Sequence, residues 1–110
     1  MEIEVRTTDA ATVVGIGFDI DGKSAPALQE QILPLLAAGR PLILDMSRVA
    51  YMSSAGLRVL LTTHRQATSS NARLVLTGLS EDLRDMMSAT GFLGFFVTVD
   101  TLDGALESLK

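Results

Sequence analysis

The sequence predicts an α/β domain with a mixed sheet of about five strands and helices packed against it, and three observations carry that prediction. Short runs rich in β-branched and aliphatic residues, TVVGI, LIL, RLVLT and FVTV, recur along the chain. Longer stretches with apolar residues three and four positions apart lie between them. From the second strand onward the two kinds of segment alternate, so each helix serves as the crossover that joins parallel neighbours.

The elements follow in order. IEVR alternates apolar and polar residues and TVVGIGFD extends a β-branched run, which predicts an antiparallel pair at the start. From Ser24 the period changes: Ala27, Leu28, Gln31, Ile32, Leu35 and Leu36 share a helical face, with Pro26 in the first turn and Gly39 beyond the end. Pro34 interrupts this pattern, because it lacks an N–H and crowds the carbonyl four residues back, so it kinks or shortens the helix. Leu42 to Leu44 is an unbroken apolar run ending in Asp45, as expected of a strand buried on both faces.

A second helix is expected from Ala55 to about Ser69, with Leu57, Leu60, Leu61, His64 and Thr68 on its apolar face and Arg58, Thr62 and Arg65 on another. Asn71 closes it. Arg73 to Thr77 reads as the fourth strand. Leu83, Met86 and Met87 mark a helix that Ser80 caps and Gly91 ends. Phe96 to Val99 and Thr101 to Leu109 complete the order β-β-α-β-α-β-α-β-α. Met86, Met87 and Phe96 are assigned to the core, where methionine fills gaps between elements.

Composition bounds the function. A chain of 110 residues, 47% of them hydrophobic, supports one domain with one core, taken here as residues 1–110. Cysteine is absent, which excludes disulfides, thiol nucleophiles and thiolate metal sites. MEIEVRTTDA lacks the basic start and apolar stretch of a signal peptide, and no run approaches the roughly 20 apolar residues of a membrane span. The expectation is a cytoplasmic protein with no membrane partner. A net charge of −4 disfavours nucleic acid. A monomer or weak dimer is expected.

Catalytic chemistry is sparse. Gly15-Ile16-Gly17 would need a third glycine where Ile20 stands, so these glycines ease strand packing and bind no dinucleotide. His64 is the only histidine, on an apolar stripe, and reads as a residue at the edge of the core. Asp19, Asp21 and Asp45 fall near strand ends and could form a Mg²⁺ pocket like that of a receiver, but no lysine lies at a late strand end to complete it. No enzyme activity and no cofactor are expected.

What remains is YMSSAGL, Tyr51 to Leu57, between a buried strand and a helix. A hydroxyl there faces the unpaired amides and the positive dipole end of the helix, and Arg58 lies one turn on. Ser54 is therefore either an N-cap or a phosphorylation site, and the two readings are compatible.

The stretch LILDMSRVAYMSSAGLRVLLTTHRQATSSNARLVLTG resembles the STAS domain of bacterial anti-anti-sigma factors. That family's pattern is a strand ending in Asp-Leu-Ser, a short loop, then Asp-Ser-(Ser or Thr)-Gly-Leu opening a helix. GFDID resembles the exit of the family's second strand, and VTVDTLDGALESL its closing strand and helix.

The resemblance implies the STAS fold and an anti-sigma factor antagonist. It implies binding to an anti-sigma factor that is also a serine kinase, phosphorylation of Ser54, with Ser53 as the second choice, to end that binding, and a PP2C-type phosphatase to reset it. Asp21, Ser53, Ser54, Ala55, Arg58, Thr62 and Arg65, with Val59 exposed beside them, are the expected partner surface. Ser53 stands where the family usually has an acid, and Ala55 where it has Ser or Thr. A constitutive STAS interaction module, as in stressosome-like or lipid-transport assemblies, and a nucleotide- or small-molecule-binding regulatory domain are the alternatives.

Overall fold

A computed structural model of the chain describes residues 3–110. The elements are β1 (Ile3–Thr7), β2 (Thr12–Ile16), α1 (Ala25–Ile32), β3 (Leu42–Asp45), α2 (Ser54–Ser69), β4 (Leu74–Thr77), α3 (Glu81–Ala89), β5 (Val97–Val99) and α4 (Leu102–Ser108). The five strands form one sheet in the order β1-β2-β3-β4-β5. Only β1 and β2 are antiparallel; every later neighbour is parallel. The alternation read from the sequence is thus the topology of the chain.

Because side chains alternate across a strand, each strand feeds two cores. Val14, Ile16, Leu42, Leu44, Leu74 and Leu76 face α1, α2 and α3, packing against Leu28, Ile32, Leu60, Leu83 and Met87. Val13, Ile43 and Val75 face the other way and are covered by α4 through Ala105. Three successive crossovers of one hand put their helices on one face, which leaves the last helix to close the other.

Pro34 acts as expected. The α-helix stops at Ile32 and Leu33–Leu36 continue as a 3-10 turn. Asn71 (φ 56°) closes α2 in the left-handed conformation that asparagine tolerates, and Gly91 (φ 82°) does the same after α3.

The buried stripe of α2 differs from the expected one. Gly56, Leu57, Val59, Leu60, Thr63 and Ala67 face the core, whereas Leu61 and His64 are half-buried and Thr68 is exposed. Thr63 made this face look polar, but its hydroxyl donates to the Val59 carbonyl at 2.8 Å and so enters the core satisfied. His64 lies against Phe95 and Phe96, with ring centroids 6.3 and 5.5 Å away. Of the three residues assigned to the core, Met87 and Phe96 are buried and Met86 is half-buried at its margin.

Met87→Ala is expected to cost about 2–5 kcal/mol in urea unfolding, and Met86→Ala clearly less, since its side chain keeps part of its contact with water. Equal losses at the two positions would show that the face of α3 is wrongly assigned.

Candidate functional site

Two loops leave the C-terminal ends of adjacent parallel strands, one after β2 and one after β3, and they are stitched together. Ile20 and Met52 form an isolated parallel bridge. The Ile20 N–H donates to the Tyr51 carbonyl (3.0 Å) and the Ser53 N–H donates to the Ile20 carbonyl (2.8 Å). The Tyr51 N–H donates to Asp19 Oδ1 at 3.2 Å. Both Ile20 and Met52 are buried, so the bridge is hydrophobic as well as hydrogen-bonded.

This stitching places the start of α2. Ser53 is extended (φ −82°, ψ 178°) and its hydroxyl accepts from the Gly56 N–H at 3.4 Å. Ser53, not Ser54, is therefore the N-cap. Ser54 is the first helical residue and is exposed. The cap reading that the sequence left open for Ser54 thus passes to Ser53. Gly56 has a strict reason for its identity: a Cβ there would lie 2.6 Å from Met52 Cγ and 2.7 Å from the Ile20 carbonyl oxygen. Helix α2 starts in contact with the stitched loops, and only glycine leaves room.

Along α2, Ser54, Arg58, Thr62 and Arg65 fall at four- and three-residue spacing on one outward stripe, with both arginines exposed and Thr62 half-buried. Ala55, Arg58 and Val59 meet Gly22, Ala25, Pro26 and Gln29 across a shallow groove of about 310 Å³ between α2 and the start of α1. Val59 departs from expectation: it is only 4% exposed and belongs to the core, because it lies one turn from Gly56 and Thr63 on the inward face. Tyr51, the chain's one tyrosine, was missed as a surface residue. It is 56% exposed beside Ser53, although its backbone is fixed on both sides. A lone aromatic in the loop between β3 and α2 was the available signal.

The carboxylates near the strand ends do not converge on a cation. Asp45 Oδ1 accepts from the Ser47 N–H (3.0 Å) and Asp19 serves Tyr51. Among the described residues no three His, Asp or Glu side chains gather as metal ligands. Asp21 was expected at the partner surface, yet one of its oxygens is occupied within its own loop. Oδ1 accepts from the N–H groups of Lys23 (2.9 Å) and Ser24 (3.1 Å). The Ser24 hydroxyl donates to the Asp19 carbonyl (2.7 Å) and accepts from the Asp21 N–H (3.0 Å), which locks the turn into α1. The amides of Ser24 and then Lys23 hold the Asp21 carboxyl below its ordinary value of 3.8.

A depressed carboxylate stabilises the fold above its unfolded pKa, and that contribution is lost as pH falls through the folded value. Asp21→Asn should therefore lower stability at neutral pH, with the gap to wild type closing below about pH 4 in urea titrations. Gly56→Ala should destabilise by about 1–3 kcal/mol, the usual cost of overpacking, measured the same way. Wild-type stability in Gly56→Ala would mean that the loops yield freely.

Comparison with known proteins accords with this geometry. The family described as STAS domain matches residues 2–105. The anti-sigma-B factor antagonist of Bacillus subtilis is 33% identical over 91 residues, covering 83% of this chain and 84% of that protein. The crystal structure of an anti-sigma factor antagonist from Mycobacterium paratuberculosis superposes with a TM-score of 0.87 at 28% identity, over 98% of this chain and 92% of that one. The phosphorylated form of the Bacillus cell fate determinant SpoIIAA shares the fold, with a TM-score of 0.75 at 17% identity over 99% and 100% of the two chains. In sequence and in fold, the chain belongs to the STAS domain family.

Proposed function

We propose that the 110 residues act as one STAS domain, a cytoplasmic anti-sigma factor antagonist without catalytic activity of its own, switched off by phosphorylation of Ser54. The observation that carries this reading is the division of labour at the start of α2: Ser53 caps the helix, and Ser54 stands exposed at the first helical position. The names of the relatives support the antagonist role.

The partner is an anti-sigma factor with serine kinase activity. It docks on the stripe of Ser54, Arg58, Thr62 and Arg65 and on the adjoining groove, with Tyr51 at the rim. Arg58 and Arg65 are exposed cations, so a partner face that fits them is acidic. Phosphate on Ser54 adds roughly −1.5 to −2 charges to this stripe, and repulsion and desolvation then oppose the acidic face. A PP2C-type phosphatase restores the free hydroxyl.

The helix tolerates the same charge. A dianion at the first turn meets free N–H groups and the positive dipole end, worth typically 0.3–1 kcal/mol and up to about 2 in good geometry. No acidic side chain stands in the first turn of α2 to oppose it.

Ser54→Ala is expected to bind the kinase and accept no phosphate, and Ser54→Asp to bind more weakly, as read by calorimetry and phosphate incorporation. In the wild-type chain, phosphate found on Ser53 alone would move the acceptor. Wild-type binding with no phosphate on either serine would favour a constitutive interaction module. The phosphorylated protein should melt within several degrees of the unmodified form, because 1 kcal/mol moves the midpoint of a domain near this size by roughly 4–8 °C. A midpoint lowered by more than about ten degrees would mean that the switch works by unfolding.

A further inference from the structure

The two edges of the sheet differ. β5 spans three residues, a short edge of the kind that resists further pairing. β1 spans five, Ile3–Thr7, contains no proline, and among the described residues pairs on one side only. Its burial pattern is one half-buried residue followed by four exposed ones, and Val5 is 47% exposed on the face that the neighbouring Val14 buries.

The backbone bonding of β1 can be followed from the turn. The Thr8 N–H donates to the Ala11 carbonyl at 2.8 Å, so this pair is hydrogen-bonded. Antiparallel ladders alternate bonded and non-bonded pairs. Given the register Thr7↔Thr12, Arg6↔Val13, Val5↔Val14, Glu4↔Gly15 and Ile3↔Ile16, the bonds to β2 fall on Arg6 and Glu4. Thr12 agrees, since its N–H donates to Pro41 on the β3 side (2.9 Å) and not to Thr7. The N–H and C=O groups of Ile3, Val5 and Thr7 therefore point out of the sheet, toward no other strand.

We infer that the free edge of β1 is a self-association site, at which a second copy of this chain adds its own β1 antiparallel about a two-fold axis through Val5. With that centre, Val5 exchanges both hydrogen bonds with Val5 of the second copy. Glu4 then stands directly opposite Arg6 of the second copy, and Arg6 opposite its Glu4. These are non-hydrogen-bonded positions, where side chains approach most closely.

The charges also set the register. Sliding the second strand so that Glu4 becomes the centre sets Glu4 against Glu4, and sliding it the other way sets Arg6 against Arg6. Both shifted registers oppose like charges, which is destabilising directly across a ladder. Charged residues commonly guard an edge against pairing. Here one residue of each sign flanks the centre, so the edge rejects most strands and accepts its own copy. Glu4 also lies 3.7 Å from Arg48, in a pair exposed by 70% and more at both ends; such a pair holds weakly and leaves the carboxylate available. The inference is independent of the role of Ser54.

Sedimentation equilibrium over a range of protein concentrations tests it. Wild type should associate reversibly to a dimer that weakens with added salt. Glu4→Arg and Arg6→Glu should each raise the dimer dissociation constant at least about tenfold, because each places like charges at both cross-strand pairs. An equimolar mixture of the two variants should recover the dimer, since each supplies the charges the other lacks, and Glu4→Arg/Arg6→Glu should self-associate like wild type. Val5→Pro removes an N–H that the monomer leaves unused and should abolish the dimer while the circular dichroism spectrum is kept. A wild type that stays monomeric at every concentration overturns the inference. So does a dimer indifferent to the single charge reversals, or one that the mixture fails to restore.

Discussion

The parallel bridge between Ile20 and Met52 is the constraint on which the site depends. Beyond the ends of β2 and β3 the two chains would ordinarily diverge into separate loops. Instead the Ile20 backbone donates to Tyr51 and accepts from Ser53, extending the ladder into the loops. That single extension fixes Ser53 in the extended conformation an N-cap requires, buries Met52, and sets the point at which α2 starts. The cost is steric: the first turn of α2 lies so close to the Ile20 carbonyl that the residue facing it can carry no side chain. Asp19 and Asp21 complete the arrangement by receiving the amides of Tyr51, Lys23 and Ser24, so the rim of the site is made of satisfied backbone rather than of mobile loop.

The sheet behind this rim is built for burial at its centre and for openness at one edge. β3 and β4 are apolar along nearly their whole length because helices cover both faces, as in any parallel sheet enclosed by its crossovers. β1 is antiparallel, has one neighbour among the described residues and meets the larger core through Ile3, so its sequence is free to alternate charge and valine. The same position in the fold that relieves β1 of a core role makes its residues readable as recognition, at the opposite end of the strand order from β5.

The order of elements was legible in the sequence because each change of hydrophobic period coincides with a change of element, and because Pro34, Asn71 and Gly91 act locally. The start of α2 was legible to within one residue. What pattern alone could not assign was the division between Ser53 and Ser54, since either serine satisfies the preference for a cap and the choice is made by a hydrogen bond from Ser53 to a distant loop. The buried stripe of α2 was misplaced for a related reason. Leu57, Leu60 and Leu61 span more of the helix circumference than the core needs, and the deciding residue, Thr63, hides its hydroxyl on its own backbone. Val59 follows Thr63 inward. The Asp21 carboxylate, read as a surface charge, is half committed to its turn by amides two and three residues on, a local motif that a search for partner residues passes over.

The separation of cap from exposed hydroxyl bears on how a small domain can carry a switch at all. A chain of 110 residues has little stability to lose, and a modification that removed a helix cap would cost about 1 kcal/mol together with whatever the loops lost in order. With the cap on Ser53 and its hydroxyl turned to the Gly56 amide, the neighbouring position can change charge while every backbone bond of the bridge stays in place. The stripe that continues from Ser54 through Arg58 and Thr62 to Arg65 lies outside both cores, apart from the half-buried Thr62. A charge added at its head therefore alters the surface a partner meets without entering the packing beneath it. In the proposed switch, fold and signal are carried by adjacent serines, and the backbone of Ile20 keeps them apart.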